Sequence, residues 1–182
     1  MKAVYRSIKP YWLYLILIGY KTVEVSKTFP KADDWNKEVF LNCSKDMKSF
    51  KRIPEKDREW MRKYLGKCAC RFVCDSIEEI EYQPHYYIGR LGTQLSNPEM
   101  WEYGRGKPLY GWHISDLVIY DKPRELGDFA TICEGLKPHQ CDKCVYYFYE
   151  STEDGAYDEC CCNNLKPLTR PPQSWCYVEM QE

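Results

Sequence analysis

The chain has 182 residues and a nearly balanced charge, with 26 basic against 27 acidic residues and a formal net charge of −1. This length predicts one main domain rather than two full ones. The balance excludes a protein held on nucleic acid by a global basic field, so any RNA or DNA contact has to be a local patch. The apolar run at residues 11–20 is about half the length of a membrane-spanning helix, which predicts that the protein has no membrane segment.

The first 45 residues predict a strand, a helix and two further strands. Residues 2–8 alternate as a strand, and Pro10 is well placed to open a helix over 10–18. Gly19 ends this helix, because glycine takes the left-handed conformation of a helix C-terminus without steric cost. Strands are predicted over 21–28 and 38–43.

The rest of the chain reads mostly as strands and loops. We predict a charged helix over 55–64, a long strand over 67–80, a loop over 81–97, a short helix over 97–104 capped by Asn97, and a strand over 110–121. Many short strands with few helices favour an α+β fold built on a small, mostly antiparallel β-barrel, closed or half-open. We divide the chain into a barrel domain at 1–130, a cysteine-rich segment at 131–165 and a terminal strand at 166–182 that returns to the barrel.

The cysteine-rich segment has the spacing of a zinc ribbon. Cys141 and Cys144 form a C-x-x-C knuckle, and fifteen residues separate Cys144 from Cys160, which opens the run "CCC". We predict one structural Zn²⁺ bound by Cys141, Cys144, Cys160 and Cys162. Four thiolates close the site, so this metal would stabilise the segment and perform no chemistry.

Alternatives to this zinc site remain open from the sequence. In one alternative Cys161 or His139 replaces one of the four ligands; in another the thiols are free or form a redox pair. A redox pair needs a helix after the first thiol, and the sequence shows none there. Eleven cysteines without a visible secretory signal predict a reducing compartment, with the cytoplasm as the default.

The stretch "GYKTVEVSKTFP" at 19–30 carries several polar side chains on a predicted strand. In a regular strand Lys21 and Lys27 share one face, while Thr22, Glu24 and Ser26 share the other. Lys21 and Glu24 therefore converge only if a bulge or the helix-strand junction turns Lys21. The polar residues either line a cleft or form an ordinary wetted face. In both cases we expect alanine at Lys21 and Glu24 to leave the stability nearly unchanged.

Two blocks of the chain resemble a known family. "SIKPYWLYLILIGYKTVEVSKTFP" resembles the opening of ASCH domains of the PUA-like superfold, and "YGWHISDLVIYDKPREL" resembles the other recurrent block of that family. The ending "TRPPQSWCYVEM" is similar to that of small ASCH-like proteins of firmicutes and their phages. The resemblance covers about residues 2–125 and 168–180, with the cysteine-rich segment as an insertion.

The resemblance implies a β-barrel with a cleft beside the first helix that holds RNA or a modified base. It implies that phosphates are met by Lys9, Lys21 and Lys27, and that a base contacts Tyr110 or Trp112. The full set of implied ligand-binding residues is Ser7, Lys9, Lys21, Thr22, Glu24, Lys27, Tyr110, Trp112 and His113.

The sequence is compatible with three functions. The first is a module that binds RNA or a nucleotide-like ligand. The second is an enzyme, either an amidohydrolase on a modified nucleoside or a ribonuclease, with Lys21 and Glu24 as the catalytic pair. ASCH amidohydrolases carry a threonine nucleophile where this chain has Glu24, which leaves only general-base catalysis on a water molecule. The third is a phage protein that inhibits a host protein through loop 81–104.

Overall fold

The computed structural model describes residues 2–30, 35–81, 92–132 and 165–180, without the side chains of residues 132, 165 and 166. In chain order the elements are β1 (Lys2–Ile8), α1 (Pro10–Leu17), β2 (Val23–Ser26), β3 (Trp35–Cys43), α2 (Met47–Phe50), α3 (Glu55–Arg62), β4 (Cys68–Val73), β5 (Ile77–Ile80), α4 (Asn97–Gly104), β6 (Leu109–His113), β7 (Ser115–Arg124), a short 3-10 helix (Leu126–Asp128), β8 (Phe129–Ile132), β9 (Leu165–Pro167) and β10 (Trp175–Met180).

The strands of the described residues form two sheets that are mostly antiparallel. The larger sheet has the order β7-β4-β3-β1-β10-β8-β9, and the smaller has the order β2-β6-β5. Strand β1 lies inside the larger sheet, parallel to β3 and antiparallel to the terminal strand β10. In the smaller sheet Glu24 of β2 lies opposite Trp112 of β6. The predicted α+β class with few helices is confirmed.

The local signals at the first helix are borne out. Pro10 occupies the first turn of α1, and Gly19 follows the helix with φ of 77°. A proline has no amide hydrogen to lose in the first turn, and a glycine tolerates positive φ, so both residues fit where they stand. Among the described residues, no helix has the length and apolar character needed to cross a membrane.

Two predicted strands are each divided in two, which corrects the sequence prediction. The stretch 67–80 is β4 and β5, separated at 74–76, and 110–121 spans β6 and the first part of β7, separated at Ile114. At the first break the Cys74 amide still donates to Lys37 of the larger sheet, while Ser76 accepts from His113 of the smaller sheet. The chain therefore changes sheets at each break. In the described part of the chain the strands do not close into one barrel, because β2, β6 and β5 pair with one another.

The cap of α4 is also one residue earlier than predicted. Ser96, not Asn97, is the N-cap, and it forms a capping box with Glu99. The pattern Ser-x-x-Glu at the start of a helix satisfies two otherwise unpaired amides, which a cap at Asn97 would not do.

The core joins the two sheets through tryptophan. Trp112 of the smaller sheet is fully buried, and its ring centroid lies 6.3 Å from that of Trp35 in β3 and 6.2 Å from that of Trp175 in β10. Side chains from α1, α2, α3 and β4 pack in the same cluster. Trp112 is therefore the main apolar link between the sheets and forms part of the base on which the candidate site rests.

Buried thiols should make the protein sensitive to alkali. Burial raises the pKa of Cys43, Cys68 and Cys74 to about 12, and raises that of Cys70 as well. The unfolded chain releases these protons near pH 8.5. The contribution of the protonated thiols to the free energy of unfolding is therefore complete below that pH and is lost as pH rises toward 12. At pH 9.5 each thiol should lower the free energy of unfolding by about 1.4 kcal/mol.

Urea unfolding at pH 7.5, 8.5 and 9.5 under reducing conditions measures this effect. The Cys43→Ala variant is the control, because its free energy of unfolding should fall less steeply with pH by one thiol's share. A stability that is flat between pH 7.5 and 9.5 would contradict the burial of these thiols.

Candidate functional site

Three charged side chains are buried together between β1 and β2. The side chains of Arg6, Lys21 and Glu24 are only 4%, 1% and 8% exposed. Arg6 Nε and Nη2 donate to Glu24 Oε1 at 3.2 and 3.0 Å, and Lys21 Nζ lies 3.4 Å from Glu24 Oε2. We call these three residues the charged cluster. It holds two positive charges against one negative charge when all three groups are ionised.

Lys21 reaches Glu24 because it precedes the regular strand. Strand β2 begins at Val23, and the Lys21 amide donates to Leu15 O at the end of α1, so the junction turns the lysine inward. Its Nζ donates to Val23 O and Thr93 O, both at 2.7 Å. Burial lowers the pKa of Lys21, an effect that Glu24 opposes and Arg6 reinforces.

The loop that supplies Thr93 is fixed to this junction by Gly92. Gly92 O accepts from the amides of Thr22 and Val23, and Gly92 has φ of +88°. A Cβ at this position would collide with Thr22 Oγ1, so only glycine fits. The loop and the junction therefore position the Lys21 ammonium together.

Arg6 is held from several directions besides Glu24. Its guanidinium donates to Ser26 Oγ and Val25 O, both at 2.9 Å, and lies 5.3 Å above the Trp112 ring. Tyr103 of α4 forms a further hydrogen bond with Arg6, while burial raises the pKa of the Tyr103 hydroxyl. The fully buried Trp112 thus supports the guanidinium from below.

A cavity of about 640 Å³ opens beside the charged cluster. Trp12 of α1 and Tyr103 of α4 contribute aromatic rings to its lining, and Lys27 lies 4.7 Å over the Tyr103 ring. The lining residues are Arg6, Ser7, Ile8, Lys9, Trp12, Lys21, Glu24, Val25, Lys27, Ser44, Asp46, Leu95, Glu99, Glu102, Tyr103, Arg105 and Gln173. The cavity is of a size that takes a nucleoside-sized molecule.

Comparison with solved structures identifies the architecture around this cavity. ASCH from Zymomonas mobilis is similar to this chain with a TM-score of 0.52 and 13% identity, over 97% of this chain and 87% of that chain. The chain has an ASCH-like fold. Tyrosine-to-phenylalanine and serine-to-alanine variants of ZmASCH from the same organism match at 15% identity with TM-scores of 0.48 and 0.47, over 69% and 68% of this chain and 77% and 74% of theirs. No protein-family model and no curated protein matches the chain.

Most of the predicted ligand-binding residues line the cavity of this ASCH-like fold, and several do not. Those on the lining are Ser7, Lys9, Lys21, Glu24 and Lys27. Thr22 is exposed, and Tyr110 packs edge-on against Phe29. Trp112, predicted to contact a base, is fully buried and is not on the lining. His113 is exposed, and its Nδ1 lies 2.6 Å from Asp75 Oδ1.

Sequence reasoning missed Arg6, Trp12 and Tyr103. Arg6 sits in the strand "KAVYRSI", and an arginine is more often at the surface than buried. The sequence left contact between Lys21 and Glu24 conditional on a turn at the helix-strand junction, and the structure shows that contact, with the two side chains buried. The expectation that alanine at both positions is harmless is corrected accordingly.

The predicted zinc ligands Cys141, Cys144, Cys160 and Cys162, together with His139 and Cys161, lie outside the described residues. Within the described residues, no group of three or more potential metal ligands occurs. The zinc site stays a prediction from the spacing of the cysteines, and we propose one Zn²⁺ per chain.

Elemental analysis of metal-replete protein tests the zinc proposal. A Cys141→Ser/Cys144→Ser variant should lose the zinc, and the control Cys176→Ser, in β10, should keep it. Chelation should increase hydrogen exchange in residues 133–165 and leave β1 and β3 protected, because the larger core lies elsewhere. Full zinc content in the double variant would refute the ligand assignment.

Proposed function

We propose that the protein is a binding module that takes RNA or a nucleotide-like ligand into the cavity. The observation that carries this proposal is a cavity of about 640 Å³ that has both buried charges and aromatic rings, those of Trp12 and Tyr103, on its lining. Aromatic rings are platforms for bases, and the cavity volume lies within the usual range for small ligands. The ASCH-like fold and the resemblance read from the sequence add to this support.

The charges of the lining favour local recognition over tight non-specific binding. Lys9, Lys27 and Arg105 are exposed basic residues on the lining, but acidic residues accompany them there. With a net charge of −1 for the whole chain, the field that attracts phosphates is short-ranged. We therefore expect a base and a few phosphates to be recognised, with a shallow dependence of affinity on salt.

Two aromatic residues of α4 provide a matched test. Tyr103 lines the cavity and is 39% exposed, whereas Trp101 on the same helix is 46% exposed and is not on the lining. Tyr103→Ala should weaken binding of labelled single-stranded RNA by about tenfold or more, the contribution of one stacked base. Trp101→Ala should bind as the wild type does.

The titration uses fluorescence anisotropy at two salt concentrations, with a panel of modified nucleosides as competitors. Equal affinities for wild type and Tyr103→Ala would move the binding surface away from the cavity. No binding of RNA or of any nucleoside by the wild type would end the proposal.

A second candidate function is hydrolysis of a modified nucleoside or of RNA. It is favoured by the buried Lys21 ammonium, whose pKa is lowered, at 3.4 Å from Glu24 Oε2. A lysine whose pKa is lowered gives up its proton more readily, as a general base must have done before it acts. Turnover of an acylated cytidine or of a short RNA by the wild type, abolished in the folded variants Lys21→Met and Glu24→Gln, would establish this activity. The absence of turnover by the wild type would remove it.

Three further interpretations of the sequence stay predictions. The inhibitor of a host protein would use loop 81–104, of which residues 82–91 lie outside the described part. The likeness to small firmicute and phage proteins and the cytoplasmic location rest on the sequence alone.

A further inference from the structure

The charged cluster has no free donors for a phosphate. The three hydrogens of the Lys21 ammonium are directed to Val23 O, Thr93 O and Glu24. Arg6 donates to Glu24, Val25 O and Ser26 Oγ and also bonds to Tyr103. An anion that bound these groups directly would have to displace bonds already made in a buried setting, which is unfavourable.

Unused donors occur on a different part of the cavity lining. Ser7 and Ser44 both line the cavity, and their hydroxyl oxygens are buried without a hydrogen-bond partner among the described residues. The two serines are neighbours, because the Ser44 amide donates to Ile8 O, next to Ser7. A buried hydroxyl without a partner costs stability, so a pair of them beside a cavity indicates a ligand that accepts from both.

The start of α1 adds to these hydroxyls. Its N-cap Lys9 makes no side-chain cap, and no acidic residue lies in the first turn. The Tyr11 amide donates to Ser49 Oγ, whereas the Trp12 amide has no partner in the described part of the chain. Lys9 and Trp12 both line the cavity. The positive end of the helix dipole and an open amide favour an anion at this end of α1.

The local charge suits an anion with one negative charge. Lys9 Nζ lies 3.6 Å from Asp46 Oδ2, and Asp46 also accepts from the amides of Lys48 and Ser49. The charges of Lys9 and Asp46 therefore offset each other, which leaves the helix end and the hydroxyls to hold the ligand. A phosphodiester carries one negative charge, whereas a terminal phosphate carries nearly two at neutral pH.

We propose that Ser7, Ser44 and the start of α1 bind an internal phosphodiester of single-stranded RNA, so the ligand is a strand rather than a free nucleotide. This inference rests on the proposed function and names its phosphate site. The phosphate site lies beside Lys9 and Trp12, and the charged cluster orders the rest of the cavity without contacting phosphate.

A chemical double-mutant cycle tests the inference. A short single-stranded RNA is made with a neutral methylphosphonate at each linkage in turn, and binding is measured to wild type and to Ser7→Ala/Ser44→Ala. At one linkage the neutral group should weaken binding to the wild type about tenfold, the size of one or two hydrogen bonds. The double variant should bind unmodified RNA about tenfold more weakly and show no further loss at that linkage.

Two controls keep the outcome interpretable. Ser115→Ala removes a hydroxyl that donates to Val73 O and is not on the cavity lining, so it should leave RNA binding unchanged. The thermal midpoint of Ser7→Ala/Ser44→Ala should equal or exceed that of the wild type, because its hydroxyls have no partners to lose.

The possible results separate three claims: the phosphate site, the preference for a strand over a free nucleotide, and the proposed function. The phosphate site would be overturned if the losses of affinity caused by the neutral linkage and by the double variant simply added at every linkage. Unchanged RNA binding by Ser7→Ala/Ser44→Ala would overturn it too. Either result would leave the proposed function standing. A nucleoside monophosphate that binds as tightly as the strand would overturn the choice of a strand. A wild type that binds no RNA at all would overturn the proposed function as well.

Discussion

Glu24→Ala should lower the free energy of unfolding by about 3–5 kcal/mol, because it leaves Arg6 and Lys21 as two buried positive charges without their carboxylate. Removing one member of a buried ion pair is costly because the remaining charge is neither solvated nor paired. Chemical denaturation at neutral pH under reducing conditions measures the change.

The control for Glu24→Ala removes all the charge at once. Arg6→Met/Lys21→Met/Glu24→Met replaces the charged cluster by apolar side chains of similar length, and its stability should equal or exceed that of the wild type. A second control is the exposed pair Arg62 and Glu59, where Glu59→Ala should change stability by no more than about 0.5 kcal/mol. A loss below about 1 kcal/mol in Glu24→Ala would contradict the burial of the charged cluster.

Trp112→Ala should lower the free energy of unfolding by a similar amount, about 3–5 kcal/mol, because it opens a cavity where the two sheets meet. It also removes the ring beneath the Arg6 guanidinium. Trp112→Phe should cost less, roughly 1–2 kcal/mol, because an aromatic ring remains and the indole Nε1 has no hydrogen-bond partner among the described residues.

The half-exposed Trp60 of α3 is the matched control for the loss of an indole. Trp60→Ala should cost well under half as much as Trp112→Ala, since its ring is 37% exposed. Equal losses at the two positions would mean that Trp112 does not join the sheets.

Local signals made the first part of the fold predictable. Alternating apolar residues, a proline in the first turn and a glycine after the last turn predict β1, α1 and β2 from neighbours in sequence. The breaks at 74–76 and Ile114 could not be predicted, because apolar and β-branched residues continue on both sides of each. What divides them is the pairing of one half with the larger sheet and of the other half with the smaller sheet.

The candidate site was predictable only in part. Lys21 and Glu24 stand out as charges in a short strand, and the junction after α1 was the condition under which they could meet. Arg6 is eighteen residues from Glu24 in sequence, so their hydrogen bonds depend on how β1 and β2 are brought together. Ser7 and Ser44 attract no attention in a sequence, because their significance is the absence of a partner in the described structure.

The central claim is that RNA or a nucleotide-like ligand binds in the cavity beside the charged cluster. Nitrogen-15 NMR tests it directly, because the indole of Trp12 and the Arg6 Nε–H give their own signals in that spectrum. On titration with short single-stranded RNA, both signals should shift saturably together with the Tyr103 amide, while the Trp60 indole of α3 stays unchanged. RNA that shifts none of the cavity signals, or only signals remote from the cavity, would contradict the account.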